Sequence, residues 1–282
     1  MAVHAKNQNQ ERKNARQFLD GTHVMGIVNV TPDSFSDGGK FYALDKAIEH
    51  GLRLLKEGAT ILDIGGESTR PGSVAVDVDE EIARVVPVIE ALRVEAPWIS
   101  IDTRNAATME AALKAGASII NDVSALEHDQ RSVFVASDAE VPVILMHMVG
   151  KPKNMQDNPN YINVVEDVLK YFSERISYCE AHRIDADMLI LDPGIGFGKT
   201  LEHNLLLQRN IRLFHDLGLP LLLGTSRKSF IGKICDEEDS VERLGGSLAS
   251  VLYGLTQGVQ IFRVHDVKET VQAIKIWQSI DG

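Results

Sequence analysis

The sequence predicts a single-domain (β/α)8 barrel, on three observations. Eight short apolar runs alternate with eight amphipathic segments, the runs are mostly continuous in apolar character, and no Pro/Ser-rich linker divides them. Continuous runs suit strands buried on both faces, whereas a doubly wound sheet would need about six strands and a Gly-rich first turn. With 282 residues the chain is long enough for one large α/β unit.

Strands are expected at 24–30, 60–64, 98–101, 118–121, 141–146, 188–191, 219–223 and 260–264, and helices at 43–57, 80–94, 106–115, 126–137, 164–182, 201–217, 242–257 and 267–280. The first helix sets Ala47, Ile48, Leu52, Leu54 and Leu55 on one stripe, with Glu49, Arg53, Lys56 and Glu57 elsewhere. Gly58, Gly116 and Gly218 follow their helices as stops. The segment 126–137 is weakly periodic. Residues 1–20 read as a polar N-terminal tail and residues 21–282 as the barrel.

The formal net charge is −11 and no basic run is present, which argues against a nucleic-acid backbone as partner. Cys179 and Cys235 are far apart and form no CxxC pair, so free thiols are expected rather than a disulfide framework or a cysteine zinc site. The N-terminal stretch lacks the apolar centre of a secretory signal, and no uncharged apolar run reaches the ~20 residues that span a bilayer. A soluble, cytoplasmic protein without a membrane partner is the expectation.

In such a barrel the active site lies at the C-terminal ends of the strands. Those ends carry Asn29, Asp63 with Glu67, Asp102, Asn121, His147, Asp192, the group Ser226-Arg227-Lys228, and Arg263 with His265. Taken singly, Asp102 and Asn121 also suit helix caps, Asp192 before Pro193 and Gly194 suits a turn, and His147 between two methionines suits a satisfied core histidine. Their convergence on one face favours a site. Two loops, 29–39 and 65–73, exceed the usual length of about 2–6 residues and mix glycines with hydroxyl and charged groups, as lids do. Mobile positions are expected at Asp33, Ser34, Phe35, Ser36, Glu67 and Ser68. Arg227-Lys228 and Arg263 with His265 follow strands seven and eight, where such barrels hold phosphate, and their donors suit a diphosphate.

Five segments then become specific: Met25-Gly-Ile-Val-Asn-Val-Thr-Pro-Asp-Ser-Phe-Ser-Asp-Gly-Gly39, Gly65-Gly-Glu-Ser-Thr-Arg-Pro-Gly72, Asp192-Pro-Gly-Ile-Gly-Phe-Gly-Lys199, Ser226-Arg-Lys228 and Arg263-Val-His-Asp266. In this order and spacing, from about residue 23 to 280, the chain resembles the dihydropteroate synthase family. The resemblance implies condensation of 6-hydroxymethyl-7,8-dihydropterin diphosphate with para-aminobenzoate, giving 7,8-dihydropteroate and diphosphate with Mg2+ present. It implies Asn29 as the Mg2+ ligand and Asp102, Asn121, Asp192 and Lys228 as pterin contacts. Thr69, Arg70, Arg263 and His265 would meet the diphosphate. Ser226, Arg70, Pro71 and Phe197 would line the aminobenzoate side, with Gly196 in the substrate-binding set. Asp102, Asp192, Lys228, Arg263 and His265 are the catalytic candidates, and a homodimer is typical of the family.

The chemistry of these residue types is consistent with that reading. A buried carboxylate such as Asp192 accepts the paired N–H donors of a pterin edge. Departure of diphosphate leaves a resonance-stabilised pterin methylene cation, which Asp102 and Asp192 would stabilise, so an SN1-like course needs no protein nucleophile. A methyltetrahydrofolate:corrinoid methyltransferase would share the pterin aspartates, but it needs no diphosphate site. A non-catalytic pterin-binding protein is the reading from another class. His147 has no catalytic role assigned.

Overall fold

The computed structural model describes residues 14–31, 39–67, 76–150 and 159–281. Its eight strands are β1 His23–Asn29, β2 Ile61–Gly65, β3 Trp98–Asp102, β4 Ile119–Asp122, β5 Val143–Met146, β6 Leu189–Asp192, β7 Leu222–Leu223 and β8 Ile261–Val264. All pair in parallel in the order β6-β5-β4-β3-β2-β1-β8-β7, and a Leu191–Leu221 bridge joins β6 to the approach to β7. Each strand falls on an expected apolar run, because both faces of every strand are covered. The (β/α)8 barrel is the fold of the chain.

The helices are α1 Gly39–Glu57, α2 Val78–Leu92, α3 Ala106–Ala115, α4 Ser132–Ala139, α5 Val164–Ala181, α6 Leu201–Arg209, α7 Ser229–Cys235, α8 Leu244–Thr256 and α9 Val267–Asp281. Gly116 ends α3 at φ +123° with its N–H donating to Ala112 O, as a C-terminal stop requires. Four expectations are corrected. Leu52 lies 42% exposed, off the α1 stripe, and Gly51 takes the inner position because a Cβ there would fall 2.5 Å from Leu92 Cδ1. The segment expected to be helical from 126 starts α4 only at Ser132. Before it, the Asp122 carboxylate accepts from Ser124 and Leu126 N–H groups and holds a turn. The helix expected over 201–217 breaks at Asn210, whose side chain donates to Leu206 O, and continues as a 3-10 helix over Ile211–Leu217. Short α7 was not expected.

Inside the barrel the alternation of side chains produces two layers. Met25, Ile61, Ile119, Ile144, Ile190, Leu222 and Ile261 pack together with Trp98. From below they meet Ala15 and Phe18 of a 3-10 turn over Ala15–Phe18, whose Phe18 ring lies 4.9 Å from Trp98 and 5.0 Å from His23. Ala15 and Phe18 are buried, within the stretch read as a polar tail. Two residues further along the same strands, about 6.6 Å higher, stand Asp63, Asn121, Met146, Asp192 and Arg263.

Candidate active site

The upper layer is tied together by Arg263. From β8 its Nε donates to Asp63 Oδ2 at 2.6 Å and its Nη2 to Asp102 Oδ2 at 2.6 Å. Asn121 Nδ2 stands 3.3 Å from each oxygen of the same Asp63 carboxylate. Asp102 thus meets Arg263 and Asn121 meets Asp63 inside the barrel, while Asn105 and Arg131 stand at the starts of the helices that follow. Burial opposes the Arg263 charge, but Asp63 and Asp102 outweigh it and hold the guanidinium protonated. Burial pushes the Asp102 carboxyl up to about 7, against the pull of Arg263 and with the help of Asp63, Glu81 and Asp122. Its Oδ1 is buried without a hydrogen-bond partner among the described residues.

Asp192 ends β6 and opens the turn that follows, at the same mouth as Arg263. Its Oδ1 accepts from Gly194 N–H at 2.8 Å. Burial raises its pKa, opposed by that N–H and by the charges of Lys228, Arg263 and Lys199. A Cβ at Gly224 would come within 3.9 Å of Arg263 Cβ and 4.0 Å of Asp192 Oδ2, so the glycine leaves open a space that both line. Lys228, half-buried, sets its ammonium 4.0 Å from the centre of the Phe197 ring, a cation–π contact. Gly196 lies against the same side chain: a Cβ there would be 3.1 Å from Lys228 Cδ.

Ser226 and His265 meet at the junction of the last two loops. Ser226 Oγ lies 3.1 Å from His265 Nδ1 and accepts from the His265 backbone N–H at 3.2 Å. Arg227, expected to act beside Lys228, turns away: its Nε donates to Asp266 Oδ2 at 3.0 Å and its backbone N–H to Ser247 Oγ. Asn29 ends β1 half-buried on the face of Met25, opposite Gly65. Its side-chain oxygen is a hard donor at the mouth, and Mg2+ characteristically takes one or two protein oxygens while keeping waters and phosphate oxygens. That donor chemistry fits a magnesium ion arriving with a diphosphate.

Thr69, Arg70, Pro71, Ser68, Asp33, Ser34, Phe35 and Ser36 lie outside the described residues. Glu67 is buried, and its carboxylate accepts from Arg104 at 3.0 and 3.3 Å and from Val76 N–H at 3.4 Å. Sequence reasoning placed Asp63 at a strand end but missed that it anchors Arg263 and Asn121. A carboxylate inside an apolar strand was the available signal. His147 is buried and neutral, its pKa depressed first by burial and then by the charge of Lys199.

Residues 25–265 match the pterin binding enzyme family. The dihydropteroate synthase of Escherichia coli K12 is 49% identical over 260 residues, covering 92% of this chain and 91% of that protein. The chain belongs to the dihydropteroate synthase family. Within the family, the Bacillus subtilis dihydropteroate synthase is 44% identical across 99% of this chain and 97% of its own length. The Xanthomonas albilineans dihydropteroate synthase solved with 4-aminobenzoic acid is 46% identical, covers 94% of each chain and gives a TM-score of 0.88. A second structure of that enzyme, with 7,8-dihydropteroate, gives 0.85 at 44% identity, covering 94% of this chain and 95% of the other. The chain is accordingly a pterin-binding enzyme of the dihydropteroate synthase family.

Proposed function

We propose that this enzyme of folate biosynthesis joins 6-hydroxymethyl-7,8-dihydropterin diphosphate to para-aminobenzoate by an SN1-like course. The observation that carries the reading is the buried carboxylate set at the mouth, above all Asp102, whose Oδ1 has no hydrogen-bond partner among the described residues while its Oδ2 is held by Arg263. Desolvated acceptors of this kind gain most from a ligand edge rich in N–H groups, which is what a pterin presents. Asp192 and Asn121 supply further polar contacts, and Lys228 a donor beside Phe197.

The C–O bond to the diphosphate breaks with its electron pair leaving on oxygen, and the methylene carbon is left cationic. Asp102 and Asp192 stabilise that cation, since both carboxylates are fixed before reaction and need no reorganisation. Arg263 and His265 receive the departing anion, with Arg70 as the family pattern implies. Mg2+ held by Asn29 would supply further positive charge to the diphosphate oxygens. The amine of para-aminobenzoate, on the Phe197 and Ser226 side, then forms the C–N bond and loses a proton.

Rapid-quench kinetics with Mg2+ test this directly. Formation of dihydropteroate, with diphosphate release or a trapped pterin cation in the absence of para-aminobenzoate, supports the course. Strictly concerted loss of both substrates overturns the SN1-like step. Failure to form dihydropteroate favours a non-catalytic pterin-binding role.

The enzyme is further proposed to act as a cytoplasmic homodimer. Leu248, Leu252, Ala273, Ile276, Trp277 and Ile280 line an apolar groove between α8 and α9, with Ile276 59% and Ile280 78% exposed. A second copy related by a twofold axis would cover both faces at once. Light scattering should give twice the chain mass, falling to one chain in Ile276→Asp.

A further inference from the structure

Lys199 has no part in the reaction above, yet among the described residues it is the most enclosed cation beside the site, 3% exposed. Its Nζ lies 2.9 Å from Gly194 O, 2.9 Å from Phe197 O, 3.1 Å from His147 O and 3.0 Å from His147 Nδ1. Burial lowers the Lys199 pKa to about 7, so near neutrality the amine shares two or three protons among three carbonyls and the ring nitrogen of neutral His147. Two stretches of backbone meet around this amine. A Cβ at Gly194 would fall 2.0 Å from His147 O, and one at Gly198 would fall 2.5 Å from Val149 O. The loop leaving β6 is therefore wrapped on the end of β5, with Lys199 at the centre of the wrap.

The same loop carries three groups of the site: Asp192 at its start, Gly196 against Lys228, and Phe197, whose ring is 4.0 Å from Lys228 Nζ. The Phe197 carbonyl is held from one side by Lys199 while its ring holds Lys228 on the other. We propose that Lys199 is a positioning residue for the condensation, folding the loop around its buried amino group so that Phe197 faces both Lys228 and the incoming aromatic amine. This rests on the functional reading above. Removing the amine takes a donor from three carbonyls, those of His147 and Gly194 buried and that of Phe197 partly so, and the loop loses the contacts that hold it to the end of β5.

The test is a double-mutant cycle on the full-length enzyme, with Lys199→Met, Phe197→Ala and the pair, reading KM and kcat for each substrate and the melting temperature. Lys199→Met is expected to raise KM for para-aminobenzoate by up to about 100-fold, and to add little once Phe197 is already Ala. Independent, multiplying effects of the two substitutions, or wild-type KM in a folded Lys199→Met, overturn the assignment. If Lys199→Met does not fold, Lys199→Arg takes its place in the cycle and is judged by the same coupling. Wild-type turnover is measured first. Its absence overturns the functional reading and this inference together, whereas turnover with uncoupled variants overturns the inference alone.

Discussion

The two ends of the barrel interior are built from the same strands two residues apart, and they obey different physics. Ile61, Ile119, Ile190 and Ile261 close the lower layer by van der Waals packing, sealed by Phe18 and Trp98. Asp63, Asn121, Asp192 and Arg263 follow them on the same strands and face, and there the contacts are directional and charged. The lower layer is a close-packed apolar cluster that fixes the spacing of the strands. The upper layer inherits that spacing and uses it to set donors and acceptors at 2.6 Å. Rigidity and reactivity are separated by one turn of the pleat.

The most severe way to break this division is Asp63→Ala, at the centre of the upper layer. It leaves Arg263 and Asn121 without their shared acceptor, and a buried pair stripped of one partner costs about 3–5 kcal/mol. Denaturant melts should show that loss, and turnover should be abolished with it. Asp192→Asn keeps the shape and an acceptor for Gly194 N–H, so the fold should hold while kcat/KM falls by about 100- to 1000-fold. Retained turnover in a folded Asp192→Asn would erase the contrast between the layers.

Lys228→Ala should weaken pterin binding by about 10- to 100-fold, the worth of hydrogen bonds to a charged group, with an unchanged melting temperature. Isothermal titration measures it, and wild-type affinity removes Lys228 from the site. Protonation of Asp102 offers a subtler probe. Its pKa is raised to about 7, so below that pH the carboxyl gains a proton and loses acceptor capacity. Pterin affinity should then fall by up to about tenfold per pH unit. The ligand-free protein runs the other way: the folded state holds this proton more tightly than the unfolded state, so the contribution of Asp102 to stability declines as pH rises from the ordinary carboxyl range to about 7. The mildest test is Ile190→Val, two residues before Asp192. It should cost about 0.5–1.5 kcal/mol of stability and leave both KM values as they were.

The barrel was legible in the sequence because every strand is covered on both faces and some helices, α1 and α3 among them, are followed by a glycine at positive φ. Where side chains compete with the backbone it was not. The Asp122 carboxylate replaces the first turns of the helix expected at 126, with Ala125 and Leu126 drawn to positive φ. α7 escaped notice because seven residues after Lys228 carry too little periodicity. Strand-end position picked out Asp102, Asn121, Asp192 and Arg263. It gave no means of knowing that Arg227 pairs with Asp266, since that depends on how two loops cross. The Lys199–His147 contact joins residues 52 apart in sequence and was likewise invisible.

The Phe18 plug also sets an order of events. Its seat needs Met25 and Ile61 from the first strands, but equally Leu222 and Ile261 from the last. A chain emerging from the ribosome therefore makes its first buried aromatic residue early and completes that residue's site only when β7 and β8 arrive. Contacts so distant along the chain raise its contact order, which slows folding as a whole. The seat of Phe18 thus spans both ends of the barrel sequence, and the neighbouring indole of Trp98 places a fluorescent reporter beside it.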